Sequence, residues 1–158
     1  MPESGELQEF PQRLHHAVPA WVKSGSCFHI RLRVDLASAQ TLTDSLVAHG
    51  LLDAARFYHE RQRWHCRLFL LMPDHIRALL AFPMESQMSR VMGEWKHYAT
   101  RQWGIRWQTN YFDHRIRSAA GLAEKCACIL RNPVAKALCQ RENDWPWVWR
   151  SDEAITSR

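Results

Sequence analysis

The stretch LLMPDHIRALLAF, Leu70 to Phe82, limits the fold of this chain more than any other part of it. It belongs to two apolar strands, Trp64 to Met72 and His75 to Phe82, joined at Pro73-Asp74 and ended by Pro83. Strands joined by so short a turn pair antiparallel. His75, Ile76 and Arg77 open the second strand. A histidine and the residue two places on share one strand face, which is the spacing of a two-ligand metal site, yet the second place here holds an arginine.

The flanking segments extend this pattern. In CFHIRLRVD, Cys27 to Asp35, the apolar Phe28, Ile30, Leu32 and Val34 alternate with His29, Arg31, Arg33 and Asp35. This predicts a strand with one core face and one basic face. From Ser38 to about Arg61, Leu42, Leu46, Leu51 or Leu52, Ala55 and Tyr58 recur near helical spacing, with a break expected at Gly50. A second helix follows in MESQMSRVMGEWKHYATRQWG, with Ser86 as its cap, Met88, Val91, Met92, Trp95 and Ala99 as its apolar stripe, and Gly104 as its stop. RWQTNYFDHRIRS returns to a period of two, with Phe112, His114 and Ile116 on one side and Tyr111, Asp113, Arg115 and Arg117 on the other.

Ser118 then opens a last helix carrying Leu122, Cys126, Ile129 and Leu130, with disruption expected at Pro133. Trp145, Trp147 and Trp149 are expected to fold back onto the body, although an exposed aromatic among them could stack on a base. Residues 1–20, interrupted by Pro2, Pro11 and Pro19, read as an N-terminal arm in which His15-His16 are surface residues.

The order strand, helix, strand, strand, helix, strand, helix matches the split β-α-β pattern. It predicts an α+β, ferredoxin-like sandwich over residues 1–158. The antiparallel sheet has helices on one face, a C-terminal helix is added, and one sheet face is left free. Lys and Arg outnumber Asp and Glu 21 to 16, and eight tryptophans accompany that excess, a balance that favours a polyanionic partner. Cys27, Cys66, Cys126, Cys128 and Cys139 are odd in number and form no C-x-x-C pair, so they read as reduced thiols. With no basic-then-apolar leader and no apolar run near the ~18 residues of a membrane span, the expectation is a cytoplasmic protein without a membrane partner.

Four segments, AWVKSGSCFHIRLR, MPDHIRALL, WQTNYFDHRIRS and ILRNPVAKALCQRENDWPW, together resemble the REP-associated tyrosine transposases, a branch of the single-tyrosine His-hydrophobic-His superfamily. The resemblance runs from about residue 13 to residue 148. It implies a ferredoxin-like domain that binds a DNA hairpin and cuts single-stranded DNA beside it. Two histidines and a helix-borne polar residue would hold magnesium or manganese, and a helix-borne tyrosine would attack the phosphate. The superfamily holds both monomers and homodimers.

Carried onto this chain, the first histidine falls on His75, the second on Arg77, the tyrosine on Cys128 and the polar residue on Asn132. A guanidinium has no lone pair to give a metal, whereas it can hold a phosphate bidentately. The resemblance therefore implies a binder of hairpin or single-stranded DNA that needs no cofactor and does not cut. Arg77, Arg31, Arg33, Lys96, Arg101, Gln108, His114, Arg115, Arg117 and Lys136 are its candidate DNA contacts. Two alternatives stand beside it: a magnesium- or manganese-dependent nickase rearranged around Tyr111 or Cys128, and a vestigial protein-interaction module.

Overall fold

The computed structural model describes residues 19–24, 26–35 and 41–151. The expected arm up to residue 18, His15-His16 included, lies outside the described residues. The elements in chain order are α1 (Ala20–Ser24), β1 (Cys27–Arg33), α2 (Ser45–Glu60), β2 (His65–Leu71), β3 (His75–Ala81), α3 (Met88–Trp103), β4 (Phe112–Ile116), α4 (Ala119–Ala135) and β5 (Val148–Arg150). The strands form one antiparallel sheet in the order β4-β1-β3-β2-β5. The first four have the ferredoxin-like arrangement expected from the element order. β5, a short added edge strand, comes from the tryptophan tail.

One sheet face carries the main core. Phe28, Ile30 and Leu32 of β1 and Ile76, Ala78 and Leu80 of β3 pack under Val47, Ala48, Leu51 and Ala55 of α2 and Val91, Met92, Trp95 and Ala99 of α3. Trp64 and Trp95 are fully buried there, with ring centroids 6.0 Å apart. The Trp64 indole donates its N–H to the Ala55 carbonyl at 3.1 Å, so its one polar group is satisfied.

The second face is not free. α4 lies across it, and Ile129, with Leu122, Cys126 and Leu130, covers Leu68, Leu70, Met72 and Leu79. The reason is in β2. A register shift between Cys66 and Leu68 inserts one residue, so Cys66 points into the main core while Leu68 points to the opposite face. Beyond this bulge, Leu68, Phe69, Leu70, Leu71 and Met72 are all buried, as a strand covered on both faces requires.

Other local expectations are corrected by packing. Ser86 does not cap α3; it lies within a 3-10 turn, Glu85–Gln87, that leads into the helix. Gly104 does end α3, in a left-handed conformation (φ 70°). Pro133 lies inside α4 and is buried; the helix stops just beyond, where Ala137 takes φ 60°. The tail folds back as expected: the Trp145 indole donates to the Leu71 carbonyl at 2.9 Å, and the Trp147 and Trp149 rings meet His49 and His59 edge-on.

α2 runs unbroken through Gly50 because the missing side chain there makes room for the Trp103 ring. A Cβ at Gly50 would come within 2.1 Å of that ring. Alanine would gain about 1 kcal/mol of helix propensity but displace a half-buried indole, an overpacking cost of about 1–3 kcal/mol. Gly50→Ala is therefore expected to lower the urea midpoint in the parent and to raise it in a Trp103→Ala background. The same sign in both backgrounds would contradict the ring as the cause.

Candidate nucleic-acid interface

The β1–β3 register builds the site. Directly opposed residues of antiparallel strands project to the same side. Arg31 stands opposite Arg77, Arg33 opposite His75, and His29 opposite Leu79. On the outer side of β1, His29 faces His114 and Arg31 faces Phe112 of β4. Towards the centre, Arg77 faces Leu70 of β2, which lies under α4. The cationic cluster thus occupies the part of the second face that adjoins the helix, with its apolar floor continuing beneath α4.

Burial and like charge both act on Arg77. Desolvation lowers its pKa first, then the neighbouring Arg31 and, more weakly, Arg33; the Cys128 thiol opposes them. No ion pair between described residues engages Arg31, Arg33 or Arg77. The buried Nε of Arg77, Nε2 of His29, Nε2 of His75 and Nδ2 of Asn132 have no hydrogen-bond partner among the described residues. Buried polar groups are ordinarily paired, so these four leave the interior of the cluster incompletely satisfied.

His75 is held by its turn. Its Nδ1 lies 2.8 Å from Asp74 Oδ1. The Asp74 carboxylate, whose pKa is lowered chiefly by this bond, can only accept, so Nδ1 donates and Nε2 keeps the lone pair. Burial lowers the pKa of His75, against the pull of Asp74 and with the help of Arg33 and Arg77. The turn itself is anchored by Val34 N–H donating to the Asp74 carbonyl and Leu42 N–H donating to the Pro73 carbonyl, both at 3.0 Å.

A divalent metal does not fit this donor set. His75 Nε2 and the Asn132 carbonyl oxygen are the neutral donors at the positions matching the motif, and Arg77 brings a permanent positive charge to the same place. Among the described residues there is no group of three His, Cys, Asp or Glu side chains placed to hold an ion.

The remaining candidate residues are dispersed. Cys128 is exposed on α4 close enough to Arg77 to act on its charge. Tyr111 is packed against the main core under Lys96, whose Nζ is 5.7 Å from the ring centre; that is the helix side of the sheet, not the side of His75. Lys96 also donates to the Gln108 carbonyl at 3.3 Å. Arg115 is neutralised by Glu85, donates to Ser26 Oγ at 3.1 Å and covers Phe28, so it does not join the cluster. Arg101 is exposed on α3 and Lys136 just beyond α4. Arg117 lines a separate cavity of about 270 Å3 with Arg67, at the start of α4. Motif matching overlooked Lys125 and Phe112. Their signal lies in cross-strand and helix-to-sheet proximity, which a single sequence does not display.

The fold is shared with a solved structure of a REP-associated tyrosine transposase bound to a REP hairpin, at a TM-score of 0.61 and 19% identity, covering 78% of this chain and 76% of that one. No protein-family model matches the chain. No curated protein matches it either. The α+β architecture with its open antiparallel sheet is therefore that of the transposase fold. Among the described residues no helix is long and apolar enough to cross a membrane.

His29 supplies a pH test of the cluster. Burial, then the charges of Lys125, Arg77, Arg31 and His114, push its pKa from 6.5 down to about 4. The unfolded chain takes up this proton near pH 6.5, the folded chain only near 4, so stability is lost as the pH falls through that interval. The interval corresponds to about 3 kcal/mol. Urea unfolding of the parent is expected to weaken steadily from pH 6.5 to 4, and His29→Gln to flatten much of that slope. An unchanged slope in the variant would place His29 in a less cationic setting.

Proposed function

We propose that this chain binds hairpin or single-stranded DNA by gripping a phosphate on Arg77 with Arg31 and Arg33, without a metal cofactor and without cleaving the strand. The observation that carries this reading is the opposition of Arg31 and Arg77 on the sheet face, with the Arg77 Nε lacking a partner among the described residues. Two guanidinium groups placed side by side repel each other, and a phosphate between them removes that repulsion while accepting from their N–H groups. The likeness of fold to a transposase bound to a REP hairpin supports DNA as the source of that phosphate.

The absence of cutting follows from the chemistry of the motif positions. A metal would polarise the scissile phosphate, and Arg77 stands where its second histidine ligand is expected. A phenol would form the covalent link, and Cys128 stands in its place. Tyr111, the alternative phenol, has its ring against the core on the other side of the sheet. His75 then serves to position its neighbours. Held by Asp74, it fixes the turn that opens β3 two residues before Arg77.

Binding of a labelled hairpin with single-stranded flanks is expected to weaken steeply with salt and to be unaffected by a chelator. Arg77→Ala should cost about tenfold or more in affinity, the loss typical of a hydrogen bond to a charged group. It should also reduce the salt slope by about one ion. After incubation with manganese and denaturation, no protein–DNA band should remain. A covalent band, or affinity abolished by the chelator, would overturn the reading.

A further inference from the structure

Phe112 is 43% exposed, and its surroundings are not those of a core residue. Its ring meets the His29 imidazole edge-on at 5.6 Å, and the Arg31 guanidinium lies 4.9 Å from its centre. The other exposed aromatic rings among the described residues, Phe57 and Tyr98, stand on α2 and α3, on the opposite side of the sheet. The tail tryptophans are turned inward onto β2, His49 and His59. Among the described residues, Phe112 is thus the exposed aromatic ring on the face that carries the arginine cluster.

The sheet register sets its distance from that cluster. Phe112, Arg31 and Arg77 form one row across β4, β1 and β3. Two strand spacings put the Phe112 and Arg77 backbones about 10 Å apart, with Arg31 between them. That row has an apolar π-face at one end and a phosphate-binding cation in the middle and at the other end. Consecutive parts of an unpaired nucleotide offer the matching groups, a flat base and a phosphate. A base paired inside a stem is already stacked on both sides and has no free face to offer.

We infer that Phe112 is the stacking platform for one unpaired base of the DNA strand whose phosphate lies on Arg31 and Arg77. The inference rests on the DNA-binding reading and narrows its ligand to a strand with at least one unpaired nucleotide beside the gripped phosphate. Arg31 belongs to both parts: its guanidinium lies over the ring, while its backbone pairs with that of Arg77. The base adds affinity without demanding a particular sequence, since every base has a π-face.

The test uses the full chain and a DNA hairpin with mixed-sequence single-stranded extensions on both sides. 2-Aminopurine, and then an abasic sugar, is placed at each unpaired position in turn. One position is expected to show quenched fluorescence on binding, and an abasic sugar at that position should weaken binding roughly 5- to 150-fold. Phe112→Leu, which keeps apolar bulk without a π-face, should lose both the quenching and the abasic penalty, while Phe112→Trp keeps both. A shielding role for Phe112 would leave quenching and penalty intact in the leucine variant. That outcome, or a parent with no abasic-sensitive position while Arg77→Ala still weakens binding, overturns the stacking site and leaves the DNA-binding reading standing. A parent that binds none of these DNAs at low salt overturns that reading, and the stacking site falls with it.

Discussion

The register of β1 against β3 is the constraint on which the site depends. It places Arg31 beside Arg77, a pairing of like charges that sheets ordinarily avoid, and Arg33 beside His75. The opposite face prevents escape. Phe28, Ile30, Leu32, Ile76, Ala78 and Leu80 are buried under α2 and α3, and a slip of one residue would turn all of one strand's apolar side chains outward. Each of the larger of these side chains is worth about 1.5–3 kcal/mol of burial, so together they outweigh the repulsion between partly solvated guanidinium groups. Apolar packing on one face therefore holds charge in place on the other.

The bulge in β2 and the placement of α4 decide how much of that second face stays open. By changing the side to which Leu68 and Leu70 point, the bulge creates an apolar half-face that a helix must cover. α4 covers it, bringing Cys128 towards Arg77 and Lys125 towards His29. Among the described residues of the strip formed by β1, the start of β3 and β4, Arg33 and Phe112 are exposed and Arg31 and Arg77 half-buried, while His29 and His75 lie buried between them. A low-dielectric wall beside a cationic strip strengthens the attraction of any anion that enters, because the field there is less screened than on an open surface.

A shared fold does not by itself fix the chemistry of a site. A metal and a guanidinium both attract phosphate, but they demand opposite surroundings. The metal needs converging lone pairs and tolerates no cation nearby; the guanidinium needs only acceptors and brings its own charge. Here the His75 lone pair is oriented by Asp74 as it would be for a ligand, while Arg77 and Arg33 make the space beside it hostile to an ion.

Much of the architecture was legible in the sequence. Period-two alternation marked β1 and β4, an apolar run after a short turn marked β3, helical spacing marked α2, α3 and α4, and their order implied the antiparallel sheet, because such patterns are local consequences of which side chains must leave water. Where local rules failed, a distant residue had intervened. Trp103 fills the space at Gly50, within a continuous α2. The sequence by itself also determined the kinds of chemistry available: a histidine followed by an arginine two places on, and an excess of cations. Only the tertiary structure decided which of those cations meet. Arg31 and Arg77 are brought together while Arg115 is drawn away to Glu85, Tyr111 is turned from His75, and Phe112 is left exposed beside the cluster. Those outcomes depend on strand register and on the packing of α4, and both are settled by contacts between segments far apart in the chain.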